Sequence, residues 1–92
     1  MIKSFKCPVT QSLFAGLAAP RFANIRRVAE RKLEMLHRAV ALVDLRMPPN
    51  NRLEALHGDR IGQHSIRVND QWRVCFVWHE GHAWRVEIVD YH

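Results

Sequence analysis

Trp72-Arg73-Val74-Cys75-Phe76-Val77-Trp78 and Trp84-Arg85-Val86-Glu87-Ile88-Val89-Asp90-Tyr91-His92 decide the fold of this chain. Both runs alternate with a period of two and are rich in β-branched and aromatic residues, the pattern of half-buried strands. The intervening His79-Glu80-Gly81 ends in glycine, which suits a three-residue hairpin loop closed by a left-handed residue. That loop predicts Trp78 opposite His82, Phe76 opposite Trp84, Val74 opposite Val86 and Trp72 opposite Ile88. Arg73 then falls opposite Glu87 on the other face. A slip of one residue would mix apolar and charged partners. The last strand, predicted over 82–91, runs into Asp90-Tyr91-His92, three side chains suited to proton transfer.

Working outward, Gln63-His64-Ser65-Ile66-Arg67-Val68 reads as a preceding strand and Asn69-Asp70-Gln71 as its turn. The same register logic sets Val68 opposite Trp72 and Ile66 opposite Val74, extending one apolar face. The opposite face then carries Gln63, Ser65, Arg67, Arg73, Cys75, Arg85, Glu87 and Tyr91. Arg67 lies directly across from Arg73. Like charges so placed are destabilising, at the level of about 0.2–1 kcal/mol. An anion held between them, a phosphate bound bidentately, accounts for the pair. The alternatives are that both side chains splay to solvent, or that Glu87 neutralises one.

The first half of the chain has helical spacing. Met1–Lys6 alternates like a short edge strand. Pro8 fits the first turn of a helix over Val9–Leu17, with Leu13, Phe14 and Leu17 as its stripe. The clearest helix covers Phe22–Val43, with Phe22, Ile25, Ala29, Leu33, Leu36, Val40 and Val43 on one face. Its other face carries Arg26, Arg27, Glu30, Arg31, Glu34 and Arg38, either a solvated face or a surface for a partner protein. A break is expected near His37–Ala39, followed by a short piece over Val40–Leu45. Pro48-Pro49 ends helix, and Arg52–Gly62 reads as a polar loop. Helices first, then an antiparallel meander, predict one α+β domain over residues 1–92, with N-terminal helices packed on one face of a small antiparallel sheet.

At 92 residues, 48% hydrophobic and 25% charged, the chain is an ordinary globular domain rather than a disordered one. No apolar run approaches the ~20 residues of a membrane span, and the N-terminus lacks a signal-peptide region, so no membrane and a cytoplasmic location are expected. Cys7 and Cys75 are expected as reduced thiols, and neither has zinc-ligand spacing, so no metal and no cofactor are predicted. The net charge is +5, with 14 basic residues and six histidines. Most of the basic residues are arginine, whose planar fork matches phosphate where lysine is a point charge. This balance suggests a polyanionic partner.

A phosphodiester between Arg67 and Arg73 would sit beside the Asp-Tyr-His end. Metal-free RNA cleavage needs a base for the 2′-hydroxyl proton, cations for the charged phosphorane and an acid for the leaving 5′-oxygen. An imidazole's ordinary pKa of about 6.5 lies near working pH, so His92 suits base or acid. Asp90 can orient an imidazole or guanidinium, although its side chain falls on the helix side. Tyr91 can stack on a base or donate to phosphate. His57 and His64 are further candidates for phosphate contact, as is Arg60 in the same loop as His57.

Met1-Ile2-Lys3-Ser4-Phe5, Leu56-His57-Gly58-Asp59-Arg60, Ser65-Ile66-Arg67-Val68-Asn69, Gln71-Trp72-Arg73-Val74-Cys75-Phe76 and Val89-Asp90-Tyr91-His92 resemble the HigB-type toxins, or plasmid maintenance system killer proteins, of the RelE/ParE superfamily. The resemblance runs the length of the chain. It implies a RelE-like microbial RNase toxin fold and a ribosome-dependent endonuclease that cuts mRNA in the ribosomal A site. It also implies a HigA-type helix-turn-helix antitoxin as partner, with operator DNA reached only through that complex. Carried over by position, the catalytic residues are Asp90, Tyr91, His92 and Arg73, with Arg67 as the basic residue of the preceding strand. Well-known members place a histidine where this chain has Glu54 and a lysine where it has His57, which implies a slower toxin here. The competing readings are a non-nuclease toxin that binds gyrase or perturbs the ribosome, and a co-repressor acting with its antitoxin. A pure gyrase binder has no need of the Asp-Tyr-His end.

Overall fold

The fold is that of a computed structural model in which residues 1–90 are described, so the expectations placed on Tyr91 and His92 lie outside the described residues. Helix α1 spans Pro8–Phe14 and α2 spans Arg26–Arg38, followed by strands β1 (Glu54–Ala55), β2 (His64–Arg67), β3 (Trp72–His79) and β4 (His82–Asp90). The strands form a sheet in the order β1-β2-β3-β4, each pairing antiparallel. The helices cover one face, where Leu13, Phe22, Leu33 and Leu36 join Ile66, Val74, Phe76, Val86 and Ile88 in one apolar cluster. This is the expected α+β architecture.

The long helix is shorter than its periodicity predicts. Phe22 and Ile25 are buried, but on a 3-10 turn over Pro20–Ile25 that precedes α2. At the other end Ala39 is extended (ψ 135°) and the helix stops, at the break expected near His37–Ala39. The Asp44 carboxylate accepts hydrogen bonds from the amides of Val40 and Ala41, each at 3.0 Å. This local capture outcompetes the helical hydrogen bonds. It turns Val40 and Val43, expected in the core, out to 80% and 59% exposure, and Leu45 is buried instead, on a 3-10 turn over Leu42–Arg46. Similarly α1 ends at Phe14, because Gly16 turns the chain at φ +81°, and Leu17 lies 60% exposed rather than in the stripe.

The β2–β3 hairpin has the predicted register, with Ile66 opposite Val74 and Arg67 opposite Arg73. Asn69 sets its turn: its side-chain oxygen accepts from the amides of Gln71 and Trp72, each at 2.8 Å. The β3–β4 hairpin departs from prediction. Its loop is two residues, Glu80-Gly81, both at positive φ (51° and 79°), so His79 pairs with His82 and Trp78 with Ala83. A bulge between the Cys75 and Val77 pairs then adds a second offset, and Val74 faces Ile88, Trp72 faces Asp90 and Arg73 faces Val89 rather than Glu87. Past the bulge the two offsets sum to an even slip, so Val86 and Ile88 keep the core face. Before it, Ala83 replaces Trp84 in the core.

The N-terminal segment runs parallel to β4, bridging Ile2 to Ala83 and Phe5 to Val86, and so covers an edge that would otherwise be open. The segment read as a plain loop contains β1 and a 3-10 turn over Gly58–Arg60. Lys32 of α2, 3% exposed, donates to Asn51 Oδ1 at 2.6 Å. Asn51, itself fully buried, donates through Nδ2 to the carbonyls of Leu45 (3.1 Å) and Met47 (3.3 Å). That clamp ties the chain entering the loop to α2.

Candidate active site

Arg67 and Arg73 face each other across β2 and β3, but their guanidinium groups are held differently. Arg73 is 9% exposed. Its Nε donates to Ser65 Oγ at 2.7 Å, and its Nη2 donates to the Arg52 carbonyl at 2.7 Å and the Ser65 carbonyl at 3.3 Å. The same Nη2 lies 3.6 Å from a Glu54 carboxylate oxygen. Arg73 is therefore a fixed, preorganised cation that also staples the Arg52 loop to the sheet. Arg67 is half-buried and pairs with Asp70, whose side chain is 99% exposed. An ion pair this wet contributes little, so a better anion can displace Asp70 at small cost.

The alternative in which Glu87 neutralises one of the facing arginines is not what occurs. Glu87 lies opposite Cys75 and pairs with Arg60 at 3.3 Å and Lys6 at 3.4 Å. Arg60 also donates to Gln63 at 3.1 Å, so it anchors the loop to the sheet. In the same cross-strand row Cys75 is fully buried. Burial pushes its thiol pKa up, against the pull of Arg60, which leaves an unreactive thiol.

Asp90 stands opposite Trp72 at the end of β4, on the helix side of the sheet as the alternation predicts. Its Oδ2 accepts from Gln71 Nε2 at 3.0 Å. Its neighbour Val89 is opposite Arg73, so β4 ends beside the two arginines. The structure thus brings Arg67, Arg73 and Asp90 to one end of β2, β3 and β4. The roles assigned to Tyr91 and His92 lie outside the described residues.

The other candidates stand apart from this end. His57 is exposed at the head of the Gly58–Arg60 turn. His64 pairs with Phe76 on the core side and stacks on its ring, with centroids 6.3 Å apart. His64 lines a cleft of about 380 Å³ with Arg46, Leu53 and Glu54. Sequence reasoning missed the partners that fix Arg73. Ser65 was readable as its neighbour on the polar face, whereas the Arg52 carbonyl, set by that residue's left-handed φ of 45°, had no sequence signal. Among the described residues no three His, Cys, Asp or Glu side chains come together as a metal site, and no helix is long and apolar enough to cross a membrane.

A buried arginine clamped beside a strand end that carries an acidic residue can stabilise negative charge developing on a bound phosphate. Comparison with known proteins gives the same direction. Residues 20–92 match the model of a family described as the RelE-like toxin of type II toxin-antitoxin system HigB. The chain is 49% identical over 61 residues to Toxin HigB-1 of Vibrio cholerae, covering 66% of this chain and 64% of that protein. It is 41% identical over 54 residues to an uncharacterized protein of Haemophilus influenzae, covering 59% and 54% respectively. It is 33% identical over 100 residues to Endoribonuclease HigB of Proteus vulgaris, covering 100% of both. The chain thus spans less than two thirds of the length of the first two relatives and the whole of the third. With most of its residues inside the family match, including both arginines and the strand end beside them, the chain belongs to the HigB-like family of RelE-like toxins of type II toxin–antitoxin systems.

Proposed function

We propose that this protein is a ribosome-dependent mRNA endonuclease, a toxin acting in the cytoplasm and silenced by a HigA-type helix-turn-helix antitoxin. The observation that carries the reading is the fixed cation: Arg73, buried and held by Ser65 and Arg52, faces Arg67 at the end of the sheet where β4 reaches Asp90. The Proteus vulgaris relative, named an endoribonuclease, supports the same reading. The 92 residues act as one toxin domain.

In this mechanism the 2′-oxygen attacks phosphorus, its proton passing to a base, while the P–O5′ bond breaks and an acid protonates the 5′-oxygen. The products are a 2′,3′-cyclic phosphate and a 5′-hydroxyl. Arg73 stabilises the extra negative charge of the phosphorane from a position that needs no rearrangement. Arg67 exchanges Asp70 for a phosphate oxygen, a charge-assisted bond stronger than the solvated pair it replaces. Asp90 orients a proton-carrying partner, and Tyr91 and His92 supply stacking and proton transfer.

Mapping mRNA 5′ ends on translating ribosomes, with and without the protein, tests this reading. New ends should appear inside codons and carry 5′-hydroxyls, so that they ligate to an adapter only after kinase treatment. Ends unchanged by the protein would refute the nuclease assignment. Cleavage that persisted after deletion of His92 would instead refute the division of roles.

A further inference from the structure

Among the cations at this end of the sheet, Arg21 has no part in the site described so far. It is exposed, on the 3-10 turn Pro20–Ile25. Its guanidinium carbon stands 5.7 Å from the centroid of the Trp72 ring and 5.5 Å from that of Phe22. Those two rings meet edge to face at 5.4 Å, and both residues are buried, so they form a rigid platform. Stacking on aromatic faces immobilises an otherwise flexible side chain and leaves its in-plane N–H groups available at the edge. Among the described residues no carboxylate, carbonyl or hydroxyl hydrogen-bonds to that group. Compare Arg26, which donates to the Leu17 carbonyl at 2.7 Å and pairs with Glu30 at 3.5 Å.

Position gives the group its meaning. Trp72, on which Arg21 stacks, is the residue directly opposite Asp90. Arg67 and Arg73 alternate with Trp72 and so belong to the other side of the sheet. The strand end that carries Asp90 is therefore flanked by cations on both sides. We infer that Arg21 is a second phosphodiester contact, a subsite for the RNA backbone on the helix side of Asp90. It holds a nucleotide neighbouring the one whose phosphate lies at Arg67 and Arg73. An RNA strand passing over the end of the sheet would then be gripped at the scissile phosphate and at a neighbouring one. The inference rests on the endonuclease reading for its choice of RNA. The contact acts through binding, with no proton transferred.

The test compares the full chain with Arg21→Gln and Arg21→Lys for binding to a short single-stranded RNA of mixed sequence, over a range of salt. Ribosome-dependent mRNA cleavage is measured in parallel. Arg21→Gln should weaken RNA binding about tenfold and reduce the slope of log affinity against log salt by about 0.7, one phosphate contact on a single strand. Arg21→Lys should keep the slope while losing part of the affinity, because the charge stays but the planar stack goes. That variant also controls for lost packing on Trp72. Affinity and slope for Arg21→Gln equal to wild type would overturn the inference and leave the nuclease reading standing. A reduced slope for Arg21→Gln, together with no mRNA cleavage by the wild type, would uphold the contact and overturn the nuclease reading.

Discussion

The sheet is closed on both faces, by opposite means. The helix side is sealed by an apolar cluster in which Leu33, Phe22, Phe76 and Ile66 are all fully buried. The other side is closed by a loop pinned with polar bonds. Arg73 holds the Arg52 carbonyl and Ser65, and Glu87 is bridged by Arg60 and Lys6. The first seal is non-directional and tolerates side chains of similar size. The second depends on donor and acceptor geometry, so its loss leaves polar groups unpaired. Stability can come from either seal, but only the polar one holds a buried guanidinium by directed hydrogen bonds. The proposed chemistry sits on the polar face for that reason.

The sharpest way to break the comparison is to remove Arg73. Arg73→Met keeps the bulk of the stem and deletes three donated bonds. We expect ribosome-dependent cleavage to fall by about 10²–10³, the cost of losing one preorganised donor to a developing charge. Urea unfolding should show a further loss of about 2 kcal/mol as Ser65 and the Arg52 carbonyl lose their partner. Cleavage retained within a few-fold would make Arg73 a structural staple alone.

Leu33→Ala strikes the other face. Leu33 is 0% exposed at the centre of α2, and its truncation should lower stability by about 3 kcal/mol through lost transfer energy and a residual cavity. Cleavage per folded molecule should be nearly unchanged below the new melting range. Equal loss of specific activity in Leu33→Ala and Arg73→Met would mean that the two faces do not divide the work.

Lys32 tests a third kind of contact, a cation on the apolar side. Burial holds its ammonium below the usual lysine value, with Arg31 and Arg67 adding to the effect. The folded state therefore binds fewer protons than the unfolded state between its lowered pKa and the ordinary value of 10.5. Stability must then rise with pH across that window. The penalty of burying the charge is fully present below it. Lys32→Met removes the penalty and also the bond to Asn51. Measured as urea midpoints, wild type should gain on Lys32→Met as the pH is raised toward the unfolded value. A difference that stayed flat with pH would show that Lys32 titrates as it would in water.

How far this division was legible in the chain follows from which contacts are periodic. The strands of the meander, the shared side of Ile66 and Val74, and the facing of Arg67 and Arg73 follow from alternation and from the Asn69 turn, which has a local signature. The core half of α2 follows likewise from its spacing. What could not be read were competitions settled by single groups. Asp44 captured two amides and threw Val40 and Val43 outward. Asn51 was buried under Lys32. The two-residue loop carried Glu80 at a positive φ where asparagine or glycine is usual. In the site, Arg67 faces Arg73 as expected and Asp90 lies at the same end of the sheet on its helix side, but Arg73 was read as one half of an open pair. Its burial needed the Arg52 loop, whose course no pattern indicates.

The bulge in β4 was equally silent, and it yields the smallest of the expected effects. Arg85 sits there at φ +54° and is exposed, where glycine would be the ordinary choice. The irregularity lets Ala83 and Val86, three residues apart, both reach the core face, and both are fully buried. Arginine in a left-handed conformation costs roughly 1–2 kcal/mol, part of which glycine returns through its greater freedom in the unfolded chain. Arg85→Gly should therefore raise stability by only about 0.5 kcal/mol, a melting point higher by roughly 2–4 °C for a chain of this size. Removing a positive charge from a chain of net +5 relieves repulsion as well, so Arg85→Ala serves as the comparison. Alanine drops the same charge but keeps the strain. Glycine above alanine by a few degrees identifies backbone strain at the point where β4 changes offset. Equal melting points for the two variants would mean that the charge alone is responsible.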